Sequence, residues 1–178
     1  MAVNPANAPG GGANPRPVQP VTNPLREPVS ACVALGANLG EPAQAVQHAL
    51  AQLGHIAHTQ LVSASSLYET APHEAQGPLY VNAVAHLETQ LNAVDLLRAL
   101  QALEQAAGRV RSVQNAPRTL DLDLLFYGDA CIQSAWLTVP HPRWQARAFV
   151  LRPLQDVAGH LVSEGMLAAV ADQPIRRL

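Results

Sequence analysis

Pro117-Arg118-Thr119-Leu120-Asp121-Leu122-Asp123-Leu124-Leu125 is the stretch that orders the rest of the chain. In a strand, successive side chains point to opposite faces. Asp121 and Asp123 therefore share one face, and Leu120, Leu122 and Leu124 share the other. The leucine face needs burial, so Leu120–Tyr127 reads as a strand. Upstream, Asn92 caps a helix with Leu96, Leu97, Leu100, Leu103 and Ala107 on its inner face, and Gly108 follows it. Before that helix, Thr59–Tyr68 and Tyr80–Thr89 read as strands joined by the loop Glu69–Leu79. Pro42 stands at a helix N1 position, Val46, Leu50 and Leu53 keep helical spacing, and Gly54 supplies the C′ stop. Val29–Leu35, ending in Gly36, is a short apolar run that reads as a buried strand. The order is β-α-β-β-α-β, followed by about 50 residues of irregular chain and short helices. It predicts an α+β, ferredoxin-like sandwich with both helices on one face of an antiparallel sheet.

The remaining residues bound the assignment. Residues 1–28 hold seven of the fifteen Pro, four Asn and the run Gly10-Gly11-Gly12. Such a segment cannot bury enough surface to offset its ordering entropy, so 1–28 is expected to be a disordered leader and 29–178 a single domain. The net charge is −2 with 13% charged residues, so no global basic field points to nucleic acid. No apolar run approaches the ~18 residues of a membrane span, and the N-terminal residues lack the basic-then-apolar order expected of a signal peptide. Cys32 and Cys131 read as buried, reduced thiols, and the expected location is cytoplasmic. All eleven basic residues are Arg. There is no Lys for a Walker loop, a protein-kinase strand or a Schiff base, so Arg must handle any phosphate.

Same-face neighbours on a strand lie about 6.5–7 Å apart. That spacing suits two carboxylates converging on a pair of divalent ions about 3.5–4 Å apart. It equally suits an amphipathic strand whose Asp residues face water, although Asp is depleted in strands. Arg109, Arg111 and Arg118 fall within ten positions of chain, just ahead of the pair. Guanidiniums bind phosphate bidentately and stay charged, so carboxylates and arginines together suit a magnesium nucleotide.

Taken in order, several motifs resemble the 6-hydroxymethyl-7,8-dihydropterin pyrophosphokinase family of folate biosynthesis. They are Leu35-Gly36-Ala37-Asn38-Leu39-Gly40, Tyr68-Glu69-Thr70-Ala71-Pro72, Tyr80-Val81-Asn82-Ala83 and Gly108-Arg109-Val110-Arg111. Pro117-Arg118-Thr119-Leu120-Asp121-Leu122-Asp123, Leu137-Thr138-Val139-Pro140-His141 and Arg147-Ala148-Phe149 follow. The resemblance implies transfer of diphosphate from MgATP to the pterin hydroxymethyl group, with release of AMP. It implies that Asp121 and Asp123 bind two Mg²⁺ ions, and that Arg109 and Arg118 join them as catalytic residues. The ATP side would comprise Gln101, Glu104, Arg109, Arg111, Arg118, Leu124, Thr138, His141 and Arg147. The pterin side would comprise Gly36, Thr70, Pro72, Tyr80, Asn82 and Phe149, with Tyr80 and Phe149 sandwiching the ring and the Asn82 amide meeting its amino-oxo edge. The partners implied are these two small molecules, with a monomer expected.

Other residues carry blander expectations. His48, His55, His58, His73, His86 and His160 share no ligand spacing and suit surface or capping roles. Trp136 and Trp144 suit packing, and Glu41, Glu69, Glu74 and Glu88 suit solvated charge. The chain also departs from the family pattern. The loops Arg111–Pro117 and Thr70–Tyr80 are slightly short, Ala71 replaces a Pro, and Asn115 and Pro142 stand where aromatics can occur. Two rival classes use the same residues: a non-catalytic metabolite- or RNA-binding ferredoxin-like module, and a two-metal phosphohydrolase. The first leaves the Asp pair unexplained. The second needs an activated water rather than a flat organic acceptor.

Overall fold

The computed structural model describes residues 26–72, 77–108 and 119–178. Most of the expected leader lies outside the described residues, as do Arg109, Arg111, Asn115, Arg118, His73 and Glu74.

Strand β1 (Val29–Ala37) leads into helix α1 (Pro42–Leu53), then β2 (Thr59–Ala64), β3 (Tyr68–Thr70), β4 (Tyr80–Thr89) and α2 (Ala93–Ala106). After them come β5 (Asp121–Tyr127), a small hairpin of β6 (Ile132–Gln133) and β7 (Thr138–Val139), helices α3 (Ala148–Ala158) and α4 (Glu164–Ala169), and β8 (Ile175–Arg177). The main sheet runs β5-β1-β4-β3-β8, with β2 also on β4, and its pairings are antiparallel. The fold is a mixed α and β structure built on this sheet.

Alternation along the strands makes two cores. Val33, Leu35, Ala83, Ala85, Leu122 and Leu124 face α1 and α2, where Val46, Leu53, Leu96 and Leu100 meet them. Cys32, Val84 and Leu125 face the other way, against Val150, Leu154 and Ala158 of α3. Both expected helices therefore lie on one face, but the region read as irregular chain and short helices supplies an 11-residue helix that covers the opposite face. The same region ends in β8, which pairs with β3.

The single strand expected over Thr59–Tyr68 is two. At the break, the Ser65 hydroxyl accepts the Val84 N–H at 2.9 Å and donates to the Ser66 carbonyl at 2.7 Å. A serine hydroxyl competes in this way with ladder hydrogen bonds. The loop expected to begin at Glu69 begins after Thr70. Asn92 caps α2 as expected, its side chain accepting the Asp95 N–H at 2.9 Å, and Gly108 follows with φ +81. Gly54 does end α1, but in right-handed conformation at φ −71; the left-handed residue after this helix is His58, at φ 59.

Two packing expectations fail. Cys32 is buried but Cys131 is exposed, because it precedes the β6–β7 hairpin rather than lying in a strand of the main sheet. Trp144 packs edge-on against Phe126, centroids 4.9 Å apart, whereas Trp136 at the hairpin turn is 86% exposed. Glu69 is not simply solvated, since it pairs with Arg176 at 2.8 Å.

Candidate active site

One row of the ladder organises the site. Asp121 on β5 pairs with Gly36 on β1, Gly36 with Asn82 on β4, and Asn82 with Tyr68 on β3. Paired residues share a face, so Asp121, Asn82 and Tyr68 all project to the α3 side. Asp123 pairs with Ala34 one pleat along and projects the same way. Both aspartates are half-buried, while Leu120, Leu122 and Leu124 behind them are buried, as the alternation requires.

Asn82 is fixed. Its amide N–H donates to Thr70 Oγ1 at 3.0 Å, and both residues are buried. Its Oδ1 lies over Gly36, where a Cβ would come within 3.3 Å. Glycine at 36 therefore keeps the floor between the aspartate and the asparagine low. Tyr80 opens β4 and is half-buried, and Pro72 follows β3. Phe149 is half-buried against the α3 core, with the Arg147 guanidinium 5.2 Å from its ring centroid.

His141 joins from the hairpin side. Its N–H donates to the Leu125 carbonyl at 2.9 Å, which docks the segment on β5. Its Nδ1 accepts the Arg143 N–H at 3.2 Å, which leaves the neutral ring's proton on Nε2. Burial holds the imidazole pKa below its ordinary 6.5, while Asp123 and Asp121 push it up and Arg147 and Arg143 push it down. Both aspartates and Arg147 thus lie within electrostatic reach of His141.

Glu104 near the end of α2 is buried, and its Oε1 accepts the Leu122 N–H at 2.8 Å, between the two aspartates. Gln101 is half-buried one turn earlier on α2, and Thr138 is exposed on β7. The Leu124 side chain lies in the α1/α2 core, on the face away from the carboxylates. At that position the strand offers its main chain, not the leucine side chain, to the carboxylate face.

The family model for 7,8-dihydro-6-hydroxymethylpterin-pyrophosphokinase (HPPK) matches residues 32–159. The chain belongs to this family. A Pseudomonas aeruginosa 2-amino-4-hydroxy-6-hydroxymethyldihydropteridine pyrophosphokinase is 46% identical over 153 residues, covering 82% of this chain and 94% of its own. Its Haemophilus influenzae counterpart is 44% identical over 135 residues, covering 75% and 84%. A solved HPPK-DHPS structure in complex with substrates superposes with a TM-score of 0.59 at 11% identity, covering 74% of this chain and 40% of that one. A Plasmodium falciparum HPPK-DHPS gives a TM-score of 0.57 at 15% identity, covering 73% and 38%. At those identities the likeness concerns the fold alone.

For an HPPK chain the donor set suits magnesium. No group of three or more His, Cys, Asp or Glu residues that could hold a metal ion occurs among the described residues. Mg²⁺ is ordinarily held by one or two carboxylates with substrate phosphates rather than by an all-protein cage, and Asp121 with Asp123 matches that. Thr119 Oγ1, just before the carboxylate strand, is buried without a hydrogen-bond partner among the described residues. Sequence reasoning missed Asp156, whose carboxylate meets Tyr68 across 88 positions with no motif joining them. No described helix is long and apolar enough to cross a membrane.

Proposed function

We propose that the α3 side of the sheet is where this HPPK chain transfers diphosphate from MgATP to the hydroxymethyl group of 6-hydroxymethyl-7,8-dihydropterin, releasing AMP for folate biosynthesis. The observation that carries the reading is the row Asp121–Gly36–Asn82. Strands lie about 4.8 Å apart, so Asp121 and Asn82 stand about 10 Å apart with only a glycine between them. A phosphoryl group held at the aspartates and a pterin held at Asn82 would meet over Gly36.

In this reading Asn82, oriented by Thr70, meets the amino-oxo edge of the pterin, Tyr80 and Phe149 stack on its ring, and Gly36 and Pro72 complete the pocket. Asp121 and Asp123 would hold two Mg²⁺ ions, which when bound would supply positive charge at the phosphates and the attacking hydroxyl. His141 offers an Nε2 proton to phosphate oxygen, and Arg147 adds a fixed positive charge. Arg109, Arg111 and Arg118 complete the phosphate clamp, with Arg109 and Arg118 meeting charge that develops at the β-phosphoryl group. Gln101, Glu104, Thr138 and the Leu124 main chain border the nucleotide. The hydroxymethyl oxygen bonds to the β-phosphorus, its proton leaves toward the carboxylate face or solvent, and the α–β bridging oxygen departs with AMP.

The sheet order β5-β1-β4-β2 around two same-face helices supports a ferredoxin-like reading of this domain. The reading takes the protein as a monomer in the cytoplasm, where a reducing environment suits Cys32 and Cys131 as thiols, one buried and one exposed. The test is incubation with MgATP, with and without the pterin alcohol. AMP should form only with both, and nucleotide hydrolysis without the pterin would favour a phosphohydrolase instead.

A further inference from the structure

Tyr68 has no part in the reading above, yet it stands beside Asn82 in the ladder and is 8% exposed. Its hydroxyl donates to Asp156 of α3, at 3.0 Å from Oδ2 and 3.2 Å from Oδ1. The same carboxylate accepts the Ser66 N–H at 3.1 Å. The Ser66 hydroxyl in turn accepts from Arg177 Nε on β8 at 2.8 Å. One side chain of α3 thus gathers the start of β3 and the break that precedes it.

Asp156 stands two turns after Phe149, about 10 Å along the helix axis and on the same side. Between them Val150 and Leu154 rest on Val84 and Leu125 of the sheet. Apolar contact of that kind sets the height of a helix but is non-directional and permits slide and roll. The hydrogen bonds to the Asp156 carboxylate are directional, and bonds to a charged acceptor are roughly twice as strong as neutral ones. On the sheet side, Thr70 on the same short strand orients the Asn82 amide. Burial, and then Asp156 itself, hold the Tyr68 phenol pKa above its ordinary value, which keeps the hydroxyl a donor to the carboxylate.

We propose that the Tyr68–Asp156–Ser66 anchor positions the pterin slot, fixing α3 against β3 so that Phe149 stands at stacking distance above the ring bound at Asn82. The proposal rests on the pterin assignment above. Tyr68 and Asp156 are positioning residues, since they act through Phe149 and Asn82.

The experiment measures pterin-alcohol affinity by calorimetry in the presence of a non-hydrolysable MgATP analogue, alongside analogue affinity and steady-state constants. Tyr68→Phe keeps the ring and removes only the donor, and Asp156→Leu removes the acceptor. Each should raise the pterin Kd and KM about five- to tenfold, the scale of one directional bond partly transmitted, with analogue affinity unchanged and kcat within about twofold. Asp156→Asn, which retains an acceptor oxygen, should recover most of the loss, and the double variant should be no worse than the weaker single. Phe149→Ala reports on the slot itself. If Phe149→Ala weakens pterin binding while Tyr68→Phe and Asp156→Leu do not, the anchor has no positioning role. Equal losses for pterin and nucleotide overturn the proposal in favour of general loosening. If Phe149→Ala leaves affinity intact, the slot assignment fails and the proposal falls with it.

Discussion

Asp121 and Asp123 reach the same face because one leucine separates them, and that leucine is buried on the other side of the sheet. Their replacement should separate activity from stability. Asp121→Ala or Asp123→Ala should lower AMP formation by about 10²–10³ or more at saturating Mg²⁺, the scale of a lost electrostatic catalytic group. The melting temperature should hold, because neither side chain belongs to the α1/α2 core. Unchanged turnover in either variant would remove the assignment of two metal ions to this pair. The two cysteines make a second contrast. Burial pushes the Cys32 thiol up to about 11, whereas Cys131 is exposed. A thiol–disulfide exchange reagent at about pH 8 should therefore titrate one thiol per native chain, and both after unfolding, since only thiolate reacts. Two thiols in the native protein would mean that the sheet opens near Cys32.

Helix α2 reaches the carboxylate strand through the Glu104 side chain. Glu104 takes the Leu122 N–H, a group in the strand that carries both aspartates. Glu104→Leu leaves that buried donor unpaired and should cost about 1–3 kcal/mol in denaturant unfolding, while Glu104→Gln keeps an acceptor and most of the stability. Equal losses in the two variants would assign the effect to the charge rather than to the hydrogen bond. The contact shows where sequence reading stops. The 3.6-residue spacing of Leu96 and Leu100, the Asn92 cap and the alternation from Leu120 to Leu124 are local patterns, and each appears in the fold as read. The family resemblance puts Glu104 near the nucleotide, but its grip on β5 depends on how α2 crosses the sheet. Helix α3 escaped for a similar reason. Pro153 inside it is a helix-breaking signal that tertiary packing on Val84 and Leu125 overrides. The break at Ser65 was hidden in an otherwise continuous run of strand-like residues. The Asp121–Asn82 row follows from register, which no single segment contains.

At the scale of the molecule, regular pairing among the described residues begins at Val29, opposite Thr89. We propose that residues 1–27 are a leader that the domain does without. A chain starting at Pro28 should keep its melting temperature and its rate of AMP formation, and a clear loss of either in a thermal melt or an AMP assay would give those residues a place on the domain. The two faces of β5 carry a further consequence. The strand holds two interleaved messages in one reading frame, aspartates for chemistry and leucines for folding. Substitution can erase either message alone. A one-residue deletion between Thr119 and Asp121 shifts the frame, turning carboxylates toward Leu96 and Leu100 and leucines toward the nucleotide. In this stretch a changed letter can silence the enzyme and spare the fold, whereas a changed length loses both together.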